Sequence, residues 1–214
     1  MVRGTRIISL GDAAIFNDVT FHLTKVAEHF RYQPVIFPAI WEQETFVKKA
    51  GEEILGQMYT FKDKGDRDLC LIPEVTAIVQ EQYNESWSKS WKKPVRIFYN
   101  QRCYRYERPQ EGRYREFNQF GIELLGAPQD SDRYEVMAVL RGMVSAFLPE
   151  NSYTITESVK RGLSYYVEDG FEVEVPILGA QKQIAGGGRY KEGIGFAIGI
   201  DRLMLAIQKT KAKE

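Results

Sequence analysis

"VRIFYNQRCYRYERPQEGRYREFNQFGIELLG", residues 95–126, contains two long strand-like runs, 95–107 and 117–126, around a charged segment closed by Arg108, Pro109 and Gly112. Strands joined by so short a connection pair antiparallel, because a parallel return needs a crossover of a dozen or more residues. The stretch therefore predicts a long-armed hairpin. On its first arm Cys103, Arg105 and Glu107 share a face while Tyr104 and Tyr106 point the other way. Arg113 and Arg115 repeat that spacing beyond the loop, and Phe117, Gln119, Gly121 and Glu123 share a face on the return, where Gly121 leaves room for something to approach the backbone. A closed hairpin turns Arg105, Glu107, Gln119 and Glu123 into one cleft. An arginine fork suits a phosphate, and two carboxylates beside it suit an ammonium, an imidazole or a magnesium ion. The same residues can also form a cross-strand salt lattice on an exposed sheet face, so the hairpin alone leaves both readings open.

The flanking sequence sets the architecture. Asp12 is placed to cap a helix running to about Phe30, with Ile15, Val19, Leu23, Val26, Ala27 and Phe30 on one stripe. "YQPVIFPAI", bracketed by Pro34 and Pro38, reads as an edge strand or extended segment. Residues 58–61 and 68–72 read as a second hairpin turning through 62–67, with Pro73 in the first turn of a helix that ends near Trp87. A helix over 132–147, strands at 153–156 and 171–175, and a glycine-rich strand leading into a terminal helix complete the chain, whose tail "QKTKAKE" reads as frayed, solvated helix. Strands separated by hairpins predict an α+β fold: one domain over residues 1–214, an antiparallel sheet, and helices on one side rather than a doubly wound parallel sheet. "GGGRYKEG" has neither the spacing nor the context of a dinucleotide fingerprint.

Lysine plus arginine and aspartate plus glutamate balance at 29 each in 214 residues, which gives no long-range electrostatic case for nucleic acid. Lys89, Lys92 and Lys93 form a local patch that reads as a solvated helix end. Cys70 and Cys103 sit in apolar strand-like runs and read as buried free thiols, while His22 and His29 are too far apart for a zinc motif. With no secretory signal and no 18-residue apolar stretch, the expectation is a cytoplasmic protein without membrane contact.

Two further clusters bear on the open question. "RGLSYY" brings Arg161, Tyr165 and Tyr166, "GGGRY" brings Arg189 and Tyr190, and "GIGFAIGIDR" places Arg202 at a helix start after an apolar strand. Each has a plainer reading: Gly186–Gly188 as a tight turn, Arg202 as an ordinary salt-bridge former, and the two tyrosines as packing residues.

Taken together, these segments resemble a known family. "YRYERPQEGRYREFNQFGIE" closely resembles the second signature motif of class II histidyl-tRNA synthetases, and "FAIGIDRL" resembles the third. "RGLSYY" and "GGGRY" resemble the family's two histidine-specific segments, "VRGTR" its start, "YQPVIFPAI" its dimer-forming first motif, and "YTFKDKGDRDLCLIPEVT" the segment that grips the amino acid. The resemblance implies a class II synthetase-like antiparallel sheet flanked by helices, ATP and Mg2+ as cofactors, histidyl-adenylate formation with pyrophosphate release, and a homodimer. By position it implies Arg105 at the α-phosphate, Glu107 in the ATP site, Arg113 at the outer phosphates and Arg202 beside adenine and the γ-phosphate. Arg161 is implied near the carboxylate and α-phosphate, and Glu74, Thr76, Gln119, Glu123, Tyr166 and Tyr190 in the amino-acid pocket. No metal ligand is assigned. The chemistry is coherent, since Arg105, Arg161 and magnesium can meet charge building on the α-phosphate, while Glu74 and Glu123 can receive ammonium and ring N–H groups.

The match has departures. Ser164 stands where the family usually has aspartate, Ile72 and Val75 where it has arginine and glycine, and Ile7 where it has aspartate. The anticodon-binding domain and the inserted domain that covers the acceptor arm are expected to be missing, so tRNA is a possible partner without its usual recognition parts. The alternative function is a catalytically silent regulatory subunit, like the synthetase-shaped partner of ATP phosphoribosyltransferase in histidine biosynthesis. Such partners typically lose the ATP-contacting arginines that this chain retains.

Overall fold

Val95–Tyr104 and Glu116–Leu125 pair antiparallel in unbroken register, from Val95 opposite Leu125 to Tyr104 opposite Glu116. The computed structural model that shows this describes residues 1–212, the side chains of residues 52, 53 and 130 aside. The last two residues of the tail expected to fray therefore lie outside the described residues.

In chain order, helix α1 (Leu10–His29) leads to the two-residue strand β1 (Gln33–Pro34), then to β2 (Ile40–Glu42) and α2 (Gln43–Ala50). Strands β3 (Tyr59–Lys62) and β4 (Asp68–Leu71) form the expected short hairpin. Helix α3 (Thr76–Gln82) runs through a π-helical turn (Tyr83–Trp87) into the single turn α4 (Ser88–Ser90). The long hairpin is β5 (Val95–Tyr104) and β6 (Glu116–Leu125), followed by α5 (Gln129–Ser145), β7 (Thr154–Val159), β8 (Gly170–Glu174), β9 (Gln183–Tyr190), β10 (Gly193–Gly199) and α6 (Ile200–Lys211).

Seven strands form the main sheet in the order β1-β5-β6-β10-β9-β8-β7, and β2-β4-β3 form a smaller one. Every pairing in the main sheet is antiparallel except the edge, where β1 runs parallel to β5. This parallel pair departs from the purely antiparallel expectation, and the cause is the long connection from β1 to β5, which carries β2–β4 and α2–α4 and serves as the crossover a parallel neighbour requires.

Alternation along the strands divides the core. Phe120, Ile122, Leu124, Phe171, Val173, Phe196 and Ile198 face α1, α5 and α6. Ile97, Tyr99, Cys103 and Leu125 face the opposite way, against Phe46 of α2, Ala77 and Ile78 of α3, and Cys70 of the smaller sheet. Helices thus cover both faces, not one, because the second face also carries apolar side chains that must be removed from water. Both cysteines are buried and free, as expected, and both histidines are exposed.

Four local expectations need correction. Asp12 does not cap α1: Ser9 holds the cap position without a side-chain bond, and Asp12 accepts from Gln208 Nε2 at 2.8 Å. Pro73 precedes α3 rather than opening it, and its carbonyl is used by Arg105. Gly186–Gly188 are not a turn but the middle of β9. Finally, Arg105 and Glu107 lie beyond the end of β5, in the loop that follows it. That loop is tight: Gln110 and Arg113 exchange backbone hydrogen bonds at 3.1 and 2.9 Å, and Gly112 between them has φ +73°, a conformation side chains rarely tolerate.

Candidate active site

The face of the main sheet away from α1, α5 and α6 is open over β6, β9 and β10, and a cleft of about 440 Å³ lies there. Gly186 and Gly199 line it without a side chain, while Gly121, Gly188 and Gly195 on the same face leave room for the side chains packed around it. Those side chains come close: a Cβ on Gly121 would stand 2.2 Å from the Tyr99 ring, and one on Gly195 would stand 1.8 Å from Glu123 Oε2.

Arg105, Arg113, Arg161 and Arg202 all line this cleft, and each is held by the protein. Arg105 donates from Nε to the Pro73 carbonyl at 2.9 Å and lies over the Phe117 ring. Arg113 is ion-paired to Glu107. Arg202 donates to Gly112 O, Gln183 O and Gln181 Oε1, each at 2.8 Å. Burial, then the neighbouring Arg113 and Arg105, pull the Arg202 guanidinium below its ordinary value. Arg161 forms an ion pair with Glu172. Among the described residues Arg105 and Arg202 pair with no carboxylate, which favours an anionic ligand, and the exposed salt lattice is excluded because these side chains converge on a concavity.

The deep end has the opposite character. Glu74 is 4% exposed and Glu123 1%. Glu123 accepts from Tyr190 Oη at 2.7 Å and Thr76 Oγ1 at 2.8 Å, yet burial outweighs these donors and pushes its carboxyl up to about 8. Glu74 accepts from the backbone N–H groups of Thr76 and Ala77 at 2.7 and 2.9 Å, so it caps α3, and burial raises its pKa as well. Gln119 and Tyr166 line the cleft wall, and Gln119 Oε1 accepts from Cys103 Sγ at 3.4 Å. Glu123 and Tyr190 sit in the layer just behind the lining.

All eleven residues proposed from sequence therefore gather at this one place, nine lining the cleft and two behind it. Arg189 does not: β9 turns it to the helical face, where it grips Asp132 of α5 through two bonds of 2.7 and 2.6 Å. The expectation missed Tyr99, Glu172 and Gln183. Tyr99 was accessible to the period-two argument, being on the face of Cys103, whereas nothing local marks Glu172 or Gln183. Of the departures, Ile72 and Val75 are buried, Ser164 Oγ donates to Ala50 O at 3.3 Å, and Ile7 is exposed.

Glu107, paired with Arg113, is a cleft-lining carboxylate at the arginine-rich end, and among the described residues no three metal-ligating side chains cluster. This fits magnesium only as a companion of bound phosphates, which supply most of its ligands in such sites.

The model of the tRNA synthetase class II core domain (G, H, P, S and T) matches residues 59–193, well over half of the chain and including both hairpins. The chain belongs to this family. Among curated relatives of this class II core, the histidine–tRNA ligase of Methanosarcina acetivorans is 29% identical over 307 aligned positions, covering 94% of this chain and 74% of that one. The alignment is longer than the 214-residue chain, so the relative carries sequence inserted between the matched segments. The apo histidyl-tRNA synthetase of S. aureus superposes with a TM-score of 0.83 at 27% identity, over 99% of this core and 70% of that chain. An ATP phosphoribosyltransferase regulatory subunit/histidyl-tRNA synthetase from Bacillus halodurans superposes at 0.81 over 95% and 82%, but at 17% identity it shares the fold alone. No helix of the described residues is long and apolar enough to cross a membrane.

Proposed function

We propose that this class II core binds ATP and histidine and joins them as histidyl-adenylate. The observation that carries the reading is the two-ended cleft: four arginines from separate parts of the chain at one end, and two buried carboxylates, Glu74 and Glu123, at the other.

In this reading a histidine carboxylate oxygen attacks the α-phosphorus of ATP, a new P–O bond forms, and the bond to the β-phosphate oxygen breaks with its electron pair leaving on pyrophosphate. The nucleophile is already ionised, so it needs placement rather than a base. Arg105 and Arg161 meet the charge that grows on the α-phosphate oxygens, Arg113 holds the outer phosphates, and Arg202 packs beside adenine and the γ-phosphate. Magnesium, bound with the nucleotide, adds positive charge at the phosphates, and Glu107 is the carboxylate that fits it. Glu74, Gln119 and Thr76 orient the amino group. Glu123, Tyr166 and Tyr190 select the ring, because a buried acceptor left unpaired disfavours an apolar competitor. Transfer to tRNA or a smaller acceptor follows in this proposal, as does a homodimer formed through the segment around Pro38.

Amino-acid-dependent exchange of pyrophosphate into ATP tests the activation step. Exchange with histidine, lost in Arg161→Ala, supports it. Folded protein that exchanges with no amino acid supports the regulatory-subunit reading instead. Acylation assays with histidine tRNA, its acceptor minihelix and carrier proteins separate the acceptors.

A further inference from the structure

Phe171 and Val173 of β8 are buried in the helical-side core, so strand alternation turns Gly170 and Glu172 toward the cleft. Glu172 stands opposite Gly186 of β9. Arg161 runs along this corner in the space two missing β-carbons leave. A Cβ on Gly170 would lie 2.7 Å from Arg161 Cγ, and a Cβ on Gly186 would lie 2.7 Å from both Nη1 and Nη2. The Tyr166 ring covers the guanidinium, with its centroid 5.5 Å from Cζ.

Glu172 closes the slot. Its Oε1 accepts from Arg161 Nη1 and, at 3.0 Å, from Gln183 Nε2. The Gln183 carbonyl in turn accepts from Arg202 Nη1 at 2.8 Å. One carboxylate and one glutamine thus connect the arginines on the two flanks of the cleft. Arg161 Nε is buried without a hydrogen-bond partner, so the contact at Nη1 bears the anchoring. A guanidinium is a planar fork on a long flexible stem, and its usefulness to a ligand depends on which edge is presented.

We infer that Glu172, backed by Gln183, is a positioning residue that fixes the Arg161 guanidinium for the activation step; this rests on the reading of the cleft given above. Glu172 touches no reacting atom. It engages Nη1 and leaves Nη2 for the ligand, and it supplies the counter-charge that keeps the cation in its slot between turnovers.

Glu172→Gln keeps the shape and removes the charge. In histidine-dependent pyrophosphate exchange we expect kcat to fall about tenfold or more, with KM for histidine changed less than about threefold, because orientation rather than binding is lost. The anchoring is also read without turnover. In side-chain NMR of ligand-free protein labelled at arginine nitrogen, the Arg161 Nε–H resonance is identified by its loss in Arg161→Lys. It should move toward the averaged position of free arginines in Glu172→Gln. Unchanged kcat, or an unmoved Arg161 resonance, overturns the inference. Wild-type protein without exchange sinks the activation reading, and the resonance still decides whether Glu172 holds Arg161. If Glu172→Gln does not fold, Gly186→Ala presses on the guanidinium from β9 and should produce the same two changes; failure to do so counts against the slot.

Discussion

Tyr190 donates its hydroxyl hydrogen to Glu123 across 2.7 Å, and both side chains are shut off from water. Burial holds Glu123 up at about 8 against an ordinary value of 4.5, so from roughly pH 4.5 to 8 the folded chain binds more protons than the unfolded one. Stability therefore falls as pH rises through that window and levels off above it. Thermal melts should show this decline in wild type and a shallower one in Glu123→Gln, where Glu74, also raised by burial, keeps a residual slope. Equal slopes would mean that Glu123 is not the group responsible.

The same protonation state has a consequence for ligand binding. If the substrate ring presents an N–H to Glu123, histidine uptake near pH 7 expels the carboxyl proton. Calorimetry in two buffers of different ionisation enthalpy should detect about one proton released in wild type and much less in Glu123→Gln. Identical buffer dependence in both proteins would remove Glu123 from the pocket.

Arg105 makes one protein hydrogen bond from Nε, to Pro73, and otherwise faces the cleft. Arg105→Ala should lower exchange turnover by roughly 100-fold or more through loss of a charge-stabilising donor, while the melting curve stays near that of wild type. Unchanged turnover would show that the α-phosphate sits elsewhere.

Arg189 gives the contrasting case. Its partner Asp132 is 2% exposed, and truncating the arginine strands that carboxylate in the interior. Arg189→Ala should cost about 3–5 kcal/mol in denaturant unfolding, as for other broken buried pairs, without altering substrate KM in the protein that remains folded. A loss of under about 1 kcal/mol would place the pair with weak surface bridges.

Ile36, between Pro34 and Pro38 at the sheet edge, is 93% exposed. An apolar side chain so displayed beside an unpaired strand edge fits burial against a second copy. Sedimentation should give twice the mass of one chain, shifting to the single-chain mass in Ile36→Asp. A monomeric wild type at assay concentration would refute the dimer.

Much of the candidate site is legible because β-strand alternation is a local rule. Given two strands, Cys103 and Tyr99 on one and Gln119, Gly121 and Glu123 on the other must share a face. Arg105 and Glu107 reach the cleft even though the strand ends at Tyr104, because the tight turn at Gly112 keeps their loop over it. Alternation within a single segment cannot say which face of β9 meets solvent, which is why Arg189 resembled a site residue and proved to be a core ion pair.

By itself the amino-acid sequence determined the antiparallel hairpins, the buried helix stripe, the glycine-rich strand and the residue types available for chemistry, all of which follow from periods of two or 3.6 and from turn residues. Only the tertiary structure decided that helices cover both faces, that β1 joins in parallel, that Glu74 caps α3 and that Glu172 anchors Arg161. Those outcomes depend on contacts between segments far apart in the chain, and on burial that changes what a carboxylate does, neither of which is encoded in any single stretch.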